Sequence, residues 1–261
     1  AVYRDGSGRL HVVIESGRLT PLTRSADYLE RLSSVVGARL CQPGEVEEGC
    51  CRLNLMEAEP LAVSVGIAAM KKKGETVSGD RGTYFKTDHG VLCIILSDGM
   101  GSGRDAALTS RLSAIMLEKL LSVGAEKESA IKLLNKALVE KQEEIFATVD
   151  LLEIDRINSR ATLIKAGAAP TLLIRNGKTT LIESRTPPAG IMRNVIAEKK
   201  SFPLQKGDMI VMLSDGILQT GSEKALLPEK GLPPMPSARA LASKIIREAR
   251  KSCETADDMS V

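Results

Sequence analysis

Apolar positions along the chain recur with two different spacings, which separate predicted strands from predicted helices. Short apolar runs bounded by Gly, Asn or Asp are typical of β-strands. From Leu61 onward such runs follow one another, and the dipeptide Asn176-Gly177 and the segment Asp88–Gly90 predict hairpins between them. The runs are LAVSVGIAAM, GTYF, VLCIIL, ATVDLLEI, ATLIKAG, PTLLIRNG, TTLIES and KGDMIVMLS. This part of the chain is therefore predicted to form stacked antiparallel sheets.

Three segments carry the spacing of an amphipathic helix. The first, from Asp105 to Gly124, ends at a glycine suited to a left-handed cap. Its apolar stripe, through which we expect it to pack, comprises Leu108, Leu112, Ile115, Met116 and Leu120. The second segment covers residues 127–146, and the third runs from Ser237, a predicted N-cap, to Lys251. Strands grouped apart from paired helices predict an α+β sandwich with helices on the sheet faces.

The first sixty residues have a mixed pattern. Residues 9–16 read as a strand and residues 24–37 as a helix. A Gly- and Glu-rich stretch, residues 42–49, is the candidate linker. We therefore expect residues 1–60 to be separate from a main domain of residues 61–261.

The composition excludes several classes of function. The formal net charge is only +3 and is spread along the chain, which contains three Tyr, three Phe and no Trp. Nucleic-acid binding is therefore not expected. Because no run reaches the length of a membrane span and no signal-peptide layout opens the chain, we expect a cytoplasmic fragment without membrane contact. Five cysteines without a CxxC indicate reduced thiols, and two histidines leave carboxylates to carry any metal chemistry.

Two segments run an apolar strand into the same tripeptide, Ser-Asp-Gly. They are CIILSDGMGSG, residues 93–103, and IVMLSDGIL, residues 210–218, with Asp98 and Asp215 as their acids. A strand end holds a carboxylate rigidly, and the following glycine lets a backbone carbonyl turn toward a cation. Taken alone, either tripeptide is also a common turn.

Two further acidic points strengthen the metal interpretation. VSGD ends at Asp80, and ADDMSV contains Asp257 and Asp258. Four separated acidic points with so few histidines match a hard, octahedral ion such as Mg²⁺ or Mn²⁺. Without cations, carboxylates brought together would repel one another, and their pKa values would rise until some were neutral. The pattern therefore predicts a metal site built from carboxylates, whereas Lys71–Lys73 is expected to be a solvated hairpin tip.

These motifs carry a family resemblance. VSGD, SDGMGSG, the second SDG and DDMS occur in the order and spacing of the metal-dependent protein phosphatases. Over residues 61–261 the chain resembles this protein phosphatase 2C-like serine phosphatase family, in particular the phosphatase domain of sporulation stage II protein E and the related stress-response phosphatases. The resemblance implies an α+β fold, namely an α/β/β/α sandwich of two antiparallel sheets flanked by helices. It also implies that residues 1–60 are a partial regulatory or linker segment.

The resemblance implies a site for two Mn²⁺ or Mg²⁺ ions. The implied metal ligands are Asp80, Asp98, Gly99 through its carbonyl, Asp215 and Asp257. Asp98 would bridge both ions, and Asp98 and Asp215 are the implied catalytic residues. Asp258 is the less favoured acid of its pair. Met100 stands where many eukaryotic relatives carry a histidine that is thought to protonate the leaving group.

The implied activity is Mn²⁺- or Mg²⁺-dependent hydrolysis of phosphoserine on a protein. The implied partner is a phosphorylated anti-sigma-factor antagonist in sporulation or in stress sigma-factor control, and a homodimer through the helices or the N-terminal segment is a further expected contact. The sequence leaves open whether a longer parent has membrane spans upstream, as the sporulation relatives do.

Two alternatives to an active phosphatase are open at this point. One is a catalytically silent, phosphatase-like binding module with the same fold. The other is a dinucleotide-binding loop, because residues 101–106 fit GxGxxA between a strand and a helix. Asp98 disfavours the dinucleotide interpretation, because its carboxylate would face a pyrophosphate.

Overall fold

The chain is described from a computed structural model. The described residues are 1–6, 8–17, 25–43, 52–87, 90–101, 103–141, 145–218, 237–252 and 257–261. They divide into two compact units. The first contains Ala1–Ala62 with Arg156–Asn158, and the second contains Val63–Asp155 with Ser159–Val261.

The first unit is a small sheet with one helix. Its described elements are β1 (Val2–Arg4), β2 (Leu10–Glu15), α1 (Ala26–Val36), β3 (Leu40–Cys41) and β4 (Arg52–Glu57). The sheet is antiparallel with the order β1-β2-β4-β3. α1 begins after Ser25, whose side chain accepts a hydrogen bond from the Tyr28 N–H, and it ends at Gly37 with φ 70°. The helix packs its apolar side onto one face of the sheet.

The second unit contains the remaining described elements. The first of these are β5 (Ala69–Met70), β6 (Asp80–Lys86), β7 (Leu92–Asp98), α2 (Gly103–Ser122) and α3 (Lys127–Val139). Five strands follow: β8 (Val149–Asp155), β9 (Arg160–Ala166), β10 (Thr171–Arg175), β11 (Lys178–Ile182) and β12 (Glu198–Pro203). The last elements are β13 (Met209–Met212), α4 (Asp215–Leu218), α5 (Ala238–Ser252) and β14 (Met259–Ser260).

Two antiparallel sheets form the centre of this unit. One has five strands in the order β12-β9-β8-β7-β6, and the other has three strands in the order β11-β10-β13. β14 forms a separate two-stranded pair with β5. Because β7 pairs antiparallel with both β6 and β8, the dinucleotide alternative is wrong, since that fold needs a parallel strand–helix–strand unit.

Each contact between layers has its own apolar core. α2 and α3 pack on one face of the five-stranded sheet, the two sheets pack face to face, and α5 packs on the outer face of the three-stranded sheet. This order confirms the predicted α/β/β/α sandwich. Representative buried side chains of the three cores are, in turn, Leu117 and Ile95, Leu163 and Met212, and Val211 and Ile245.

The buried face of α2 differs from the predicted stripe. Leu108, Leu112 and Ile115 are 53%, 43% and 40% exposed, so the expected orientation is wrong for these three residues. Mostly small residues face the sheet instead: Ala106, Thr109, Ser110, Ser113, Ala114, Leu117 and Leu121. Small side chains let the helix approach the backbone closely, and the carbonyl oxygen of Ala106 lies only 2.0 Å from where a Cβ on Gly99 would be.

Other local predictions have mixed outcomes. The hairpin at Asn176-Gly177 is confirmed, with φ of 51° and 74° at its two residues. Ser237 is confirmed as a cap, because its hydroxyl accepts a hydrogen bond from the Ala240 N–H at 3.1 Å. The second helix is shorter than predicted and ends at Val139. Residues 44–49 of the candidate linker, and residues 88–89 of the predicted turn, lie outside the described residues. No helix within the described ranges is both long and apolar enough to cross a bilayer.

Candidate metal and catalytic site

The two acids at the ends of β6 and β7 are direct cross-strand neighbours. β6 begins at Asp80, β7 ends at Asp98, and the register pairs these two residues. Directly paired residues of an antiparallel sheet have their Cα atoms about 4.5–5.5 Å apart and project their side chains to the same face. The antiparallel topology therefore brings together two carboxyl groups that are 18 positions apart in the sequence.

Burial and mutual repulsion disfavour ionisation of both groups. Burial raises the pKa of Asp98 to about 8, and the charges of Asp80 and Asp215 add to the effect. Burial likewise raises the pKa of Asp80 to about 6, although the nearby hydroxyls of Ser214 and Ser260 lower it. Among the described residues, neither buried oxygen of Asp80 has a partner in good hydrogen-bond geometry. Without a cation, the pair therefore tends to share a proton.

Beyond the regular pairs of β7 and β8, the backbone of Asp98 is held by hydrogen bonds to a single residue, Thr148. Leu96 and Asp150 form the last regular pair between β7 and β8. Beyond them, the Asp98 N–H donates to Thr148 Oγ1 at 3.0 Å, and the Thr148 N–H donates to the Asp98 carbonyl at 2.8 Å. The Thr148 carbonyl accepts a hydrogen bond from the Ser97 hydroxyl at 2.8 Å. One residue, Thr148, thus fixes both backbone groups of Asp98.

Gly99 occupies a position where no side chain fits. A Cβ there would lie 2.0 Å from the carbonyl oxygen of Ala106 at the start of α2. The Gly99 N–H donates to the Gly79 carbonyl at 3.2 Å, and its own carbonyl oxygen lies 3.5 Å from where a Cβ on Gly79 would be. The carbonyl of Gly99 therefore faces the segment that carries Asp80.

The second Ser-Asp-Gly tripeptide is bonded to the C-terminal segment. Ser214 donates its N–H to the Ser260 carbonyl at 3.0 Å and accepts the Ser260 N–H on its hydroxyl at 2.8 Å. Gly216 has no room for a side chain, because a Cβ would lie 2.0 Å from the Asp258 carbonyl oxygen. Asp215, the first residue of α4, is exposed, and its charge contributes to the raised pKa of Asp98.

The two adjacent C-terminal acids have different environments. Asp258 is 5% exposed and accepts the N–H groups of Lys72 and Gly79 at 2.7 Å each. It therefore fastens the loop that leads into β6. Asp257 is more exposed, pairs with the Lys72 ammonium at 3.3 Å, and contributes to the raised pKa of Asp98. Lys72 is thus bonded to both acids, which differs from the expected solvated hairpin tip.

The donor set fits a hard divalent cation in kind. It consists of carboxylates and a backbone carbonyl, and the unsatisfied, buried oxygens of Asp80 need a positive partner. Within the part of the chain that the structure describes, no three carboxylate, imidazole or thiolate groups converge closely enough to hold an ion as they stand.

The sequence interpretation did not identify several residues that shape this site. Thr148, Ser214 and Ser260 act through hydrogen bonds whose partners are distant in sequence. Lys72 lies in a run of three lysines that resembles a solvated loop. Asp258 appears in the sequence analysis only as the less favoured acid of its pair, and its bonds to Lys72 and Gly79 come from the structure.

Comparison with known proteins establishes the family. The family model of stage II sporulation protein E (SpoIIE) matches residues 88–261 of the chain. The chain belongs to the stage II sporulation protein E family. Members of this family and their relatives include protein serine phosphatases of the PP2C type that act in sporulation and sigma-factor regulation.

Each match covers only part of the relative's own length. Stage II sporulation protein E of Priestia megaterium is 30% identical over 173 residues, which is 66% of this chain and 30% of that protein. The protein of the same name from Bacillus subtilis is 33% identical over 158 residues, 60% of this chain and 19% of that protein. The chain thus spans less than a third of either SpoIIE relative.

Solved structures share the fold. The structure of the PP2C phosphatase domain with a fragment of the regulatory domain of SpoIIE from Bacillus subtilis has a TM-score of 0.76 and 24% identity, and the match covers 99% of this chain and 80% of that one. RsbX in complex with magnesium has a TM-score of 0.55 and 18% identity over 74% of this chain and 90% of that one. At these identities the likeness establishes the fold alone.

Proposed function

We propose that this chain is the phosphatase part of a SpoIIE-family protein and hydrolyses phosphoserine on a protein in the presence of Mn²⁺ or Mg²⁺. The observation that carries this proposal is the cross-strand pair of Asp80 and Asp98, with buried, unsatisfied oxygens on Asp80 and the charges of Asp215 and Asp257 acting on Asp98. Such a cluster is costly unless cations neutralise it.

The proposed metal ligands are the same five groups that the family resemblance implies. Asp80, Asp98, the Gly99 carbonyl, Asp215 and Asp257 would hold two divalent ions. Bound divalent ions supply positive charge for the phosphoryl oxygens and lower the pKa of an attacking water. The magnesium in the RsbX structure supports the choice of ion.

The chain's own residues contribute position and charge. Thr148 holds the backbone of Asp98, and the bonds between Ser214 and Ser260 hold the start of α4. The two proposed catalytic carboxylates, Asp98 and Asp215, are therefore carried on a fixed strand end and a fixed helix start. Met100 cannot donate a proton, so the leaving serine oxygen takes its proton from water.

The proposed substrate is a phosphorylated anti-sigma-factor antagonist. The support is the family membership, together with the relative named phosphoserine phosphatase RsbU, which is 24% identical over 176 residues. Residues 1–60 are proposed to be part of a regulatory domain, because the SpoIIE structure that matches 99% of the chain contains a fragment of that protein's regulatory domain. A cytoplasmic location and a homodimer through the helices or the N-terminal segment are proposed on the same basis.

Phosphate release tests the proposal against a catalytically silent module. We expect the chain to release phosphate from a phosphoserine protein and from p-nitrophenyl phosphate with Mn²⁺ or Mg²⁺, and to lose this activity with a chelator. Asp105→Asn provides a matched control, because Asp105 is an exposed acid at the start of α2. Absence of metal-dependent release from both substrates would favour the silent module.

A further inference from the structure

The loop that joins β11 to β12 is fixed by one buried side chain. Asn135 on α3 is 2% exposed. Its Nδ2 donates to the carbonyls of Met192 and Arg193 at 3.0 and 3.1 Å, and its Oδ1 accepts the Gly190 N–H at 2.8 Å. A buried amide that is satisfied in this way specifies one backbone arrangement. Residues 190–193 therefore have a defined conformation.

This fixed loop presents large apolar side chains to solvent. Ile191 and Met192 are each 48% exposed. Single exposed apolar residues are common on protein surfaces. Here two adjacent ones project from a backbone that a buried amide holds in place, so the loop cannot easily fold them inward.

The loop lies beside Gly99 and Met100, at the edge of the sheet that carries the proposed metal ligands. Ala189 and Ala147 exchange two hydrogen bonds of 2.9 Å, and Ala147 also bridges to Gly99. A Cβ on Gly190 would lie 3.1 Å from Phe146 Cα, and the Phe146 carbonyl accepts the Met100 N–H at 3.0 Å. Met100 is itself 46% exposed. We call Met100, Ile191 and Met192 the apolar rim.

We propose that the apolar rim contacts the polypeptide around the phosphoserine of the protein substrate. This inference rests on the proposed function. A phosphoserine that reaches Asp98 brings its flanking chain over the residues next to Gly99, and these include Met100 and the fixed loop. Methionine adapts to varied apolar surfaces because it is unbranched and polarisable. The rim therefore fits a substrate with an apolar surface next to its phosphoserine.

The test compares a large and a small substrate. In the double variant Ile191→Ser/Met192→Ser, we expect kcat/KM for an anti-sigma-factor antagonist phosphorylated on serine to fall about tenfold relative to kcat/KM for p-nitrophenyl phosphate. The control is Leu181→Ser on β11, because Leu181 is 42% exposed. The ratio of the two specificity constants should not change in this control. An unchanged ratio in the double variant, or equal losses on both substrates, would overturn the proposal.

A binding measurement separates this proposal from the proposed function. Titration calorimetry in chelator should show about tenfold weaker binding of the same phosphoprotein to the double variant than to the unmodified chain, whether or not hydrolysis occurs. Failure of the unmodified chain to bind would overturn the proposal. Light scattering completes the design, because a change of oligomeric state in the double variant would assign the rim to self-association instead. Loss of metal-dependent hydrolysis with binding retained would contradict only the proposed function.

Discussion

Asp80 and Asp98 face each other across the first pair of the β6–β7 ladder, and burial together with neighbouring carboxylates raises the pKa of both. Like charges directly opposite one another destabilise a sheet. A fold that places two carboxyl groups in this way gains little from them unless they bind cations, and this conflict gives the first two predictions.

Asp98→Asn should abolish Mn²⁺-dependent hydrolysis while the metal-free protein stays folded. The amide keeps the size of the side chain but removes the charge that would bind a cation and that Asp80, Asp215 and Asp257 repel. We expect the metal-free variant to melt about 2–6 °C higher at pH 8. Phosphate release and thermal melting measured on the same samples check both expectations, with Asp105→Asn as the control. Asp215→Asn should also lose the activity, and near-normal turnover in either variant would refute the two-metal site.

The stability of the metal-free protein should decrease as the pH rises. The pKa of Asp98 is about 8 in the folded protein against 3.8 for the free side chain. Between these values the folded state keeps a proton that the unfolded state releases. The stabilisation of the folded state by this proton is therefore complete below the unfolded pKa and is lost as the pH approaches the folded pKa. Melting in chelator at intervals from about pH 5 to pH 8 should therefore show falling stability, and Asp98→Asn should flatten the curve. Parallel curves for the two proteins would contradict this account.

Thr148→Val should weaken Mn²⁺ binding, and Thr148→Ser should restore it. Valine has nearly the shape of threonine but cannot accept the Asp98 N–H, which Thr148 Oγ1 now accepts at 3.0 Å. We expect about tenfold weaker binding in the valine variant, from the cost of one unsatisfied backbone donor. Calorimetric titration with Mn²⁺ measures it. If serine and valine weaken binding equally, the hydroxyl does not position Asp98.

Lys165→Met should be strongly destabilising, and adding Asp150→Leu should recover most of the loss. The Lys165 Nζ and Asp150 Oδ2 atoms lie 2.5 Å apart with both side chains 2% exposed, and Thr171 bonds to both of them. Burial lowers the pKa of Lys165 and raises the pKa of Asp150, while their attraction opposes both shifts. Removing one partner should cost about 3–5 kcal/mol, because it leaves a buried charge unpaired.

Urea unfolding of the two single variants and the double variant measures this coupling. An exposed pair, Lys199 with Glu128 at 2.7 Å, gives the control. Lys199→Met should cost no more than about 1 kcal/mol. A double variant as unstable as Lys165→Met alone would show that the loss does not come from leaving the Asp150 charge unpaired.

The sequence alone determined the fold class and the acidic positions of the candidate site. Short apolar runs with turn residues between them specify strands and hairpins locally, as Asn176-Gly177 illustrates. Ser-Asp-Gly after an apolar run predicts a carboxylate at or just beyond a strand end, and Asp98 is the last residue of β7 while Asp215 begins α4 shortly after β13. The family resemblance also depends only on residue types in order, so it was readable without coordinates.

Only the tertiary structure decided which groups face one another. Leu108, Leu112 and Ile115 form an apolar stripe, yet α2 turns mostly small residues toward the sheet, and its Ala106 backbone leaves no room for a side chain at Gly99. Thr148 and Asn135 also have roles that no local pattern reveals. Their hydrogen-bond partners lie 50 to 58 positions away in the sequence. Periodicity reports which faces of an element are apolar, whereas contact between distant residues depends on how the layers pack, and that information is not local in the sequence.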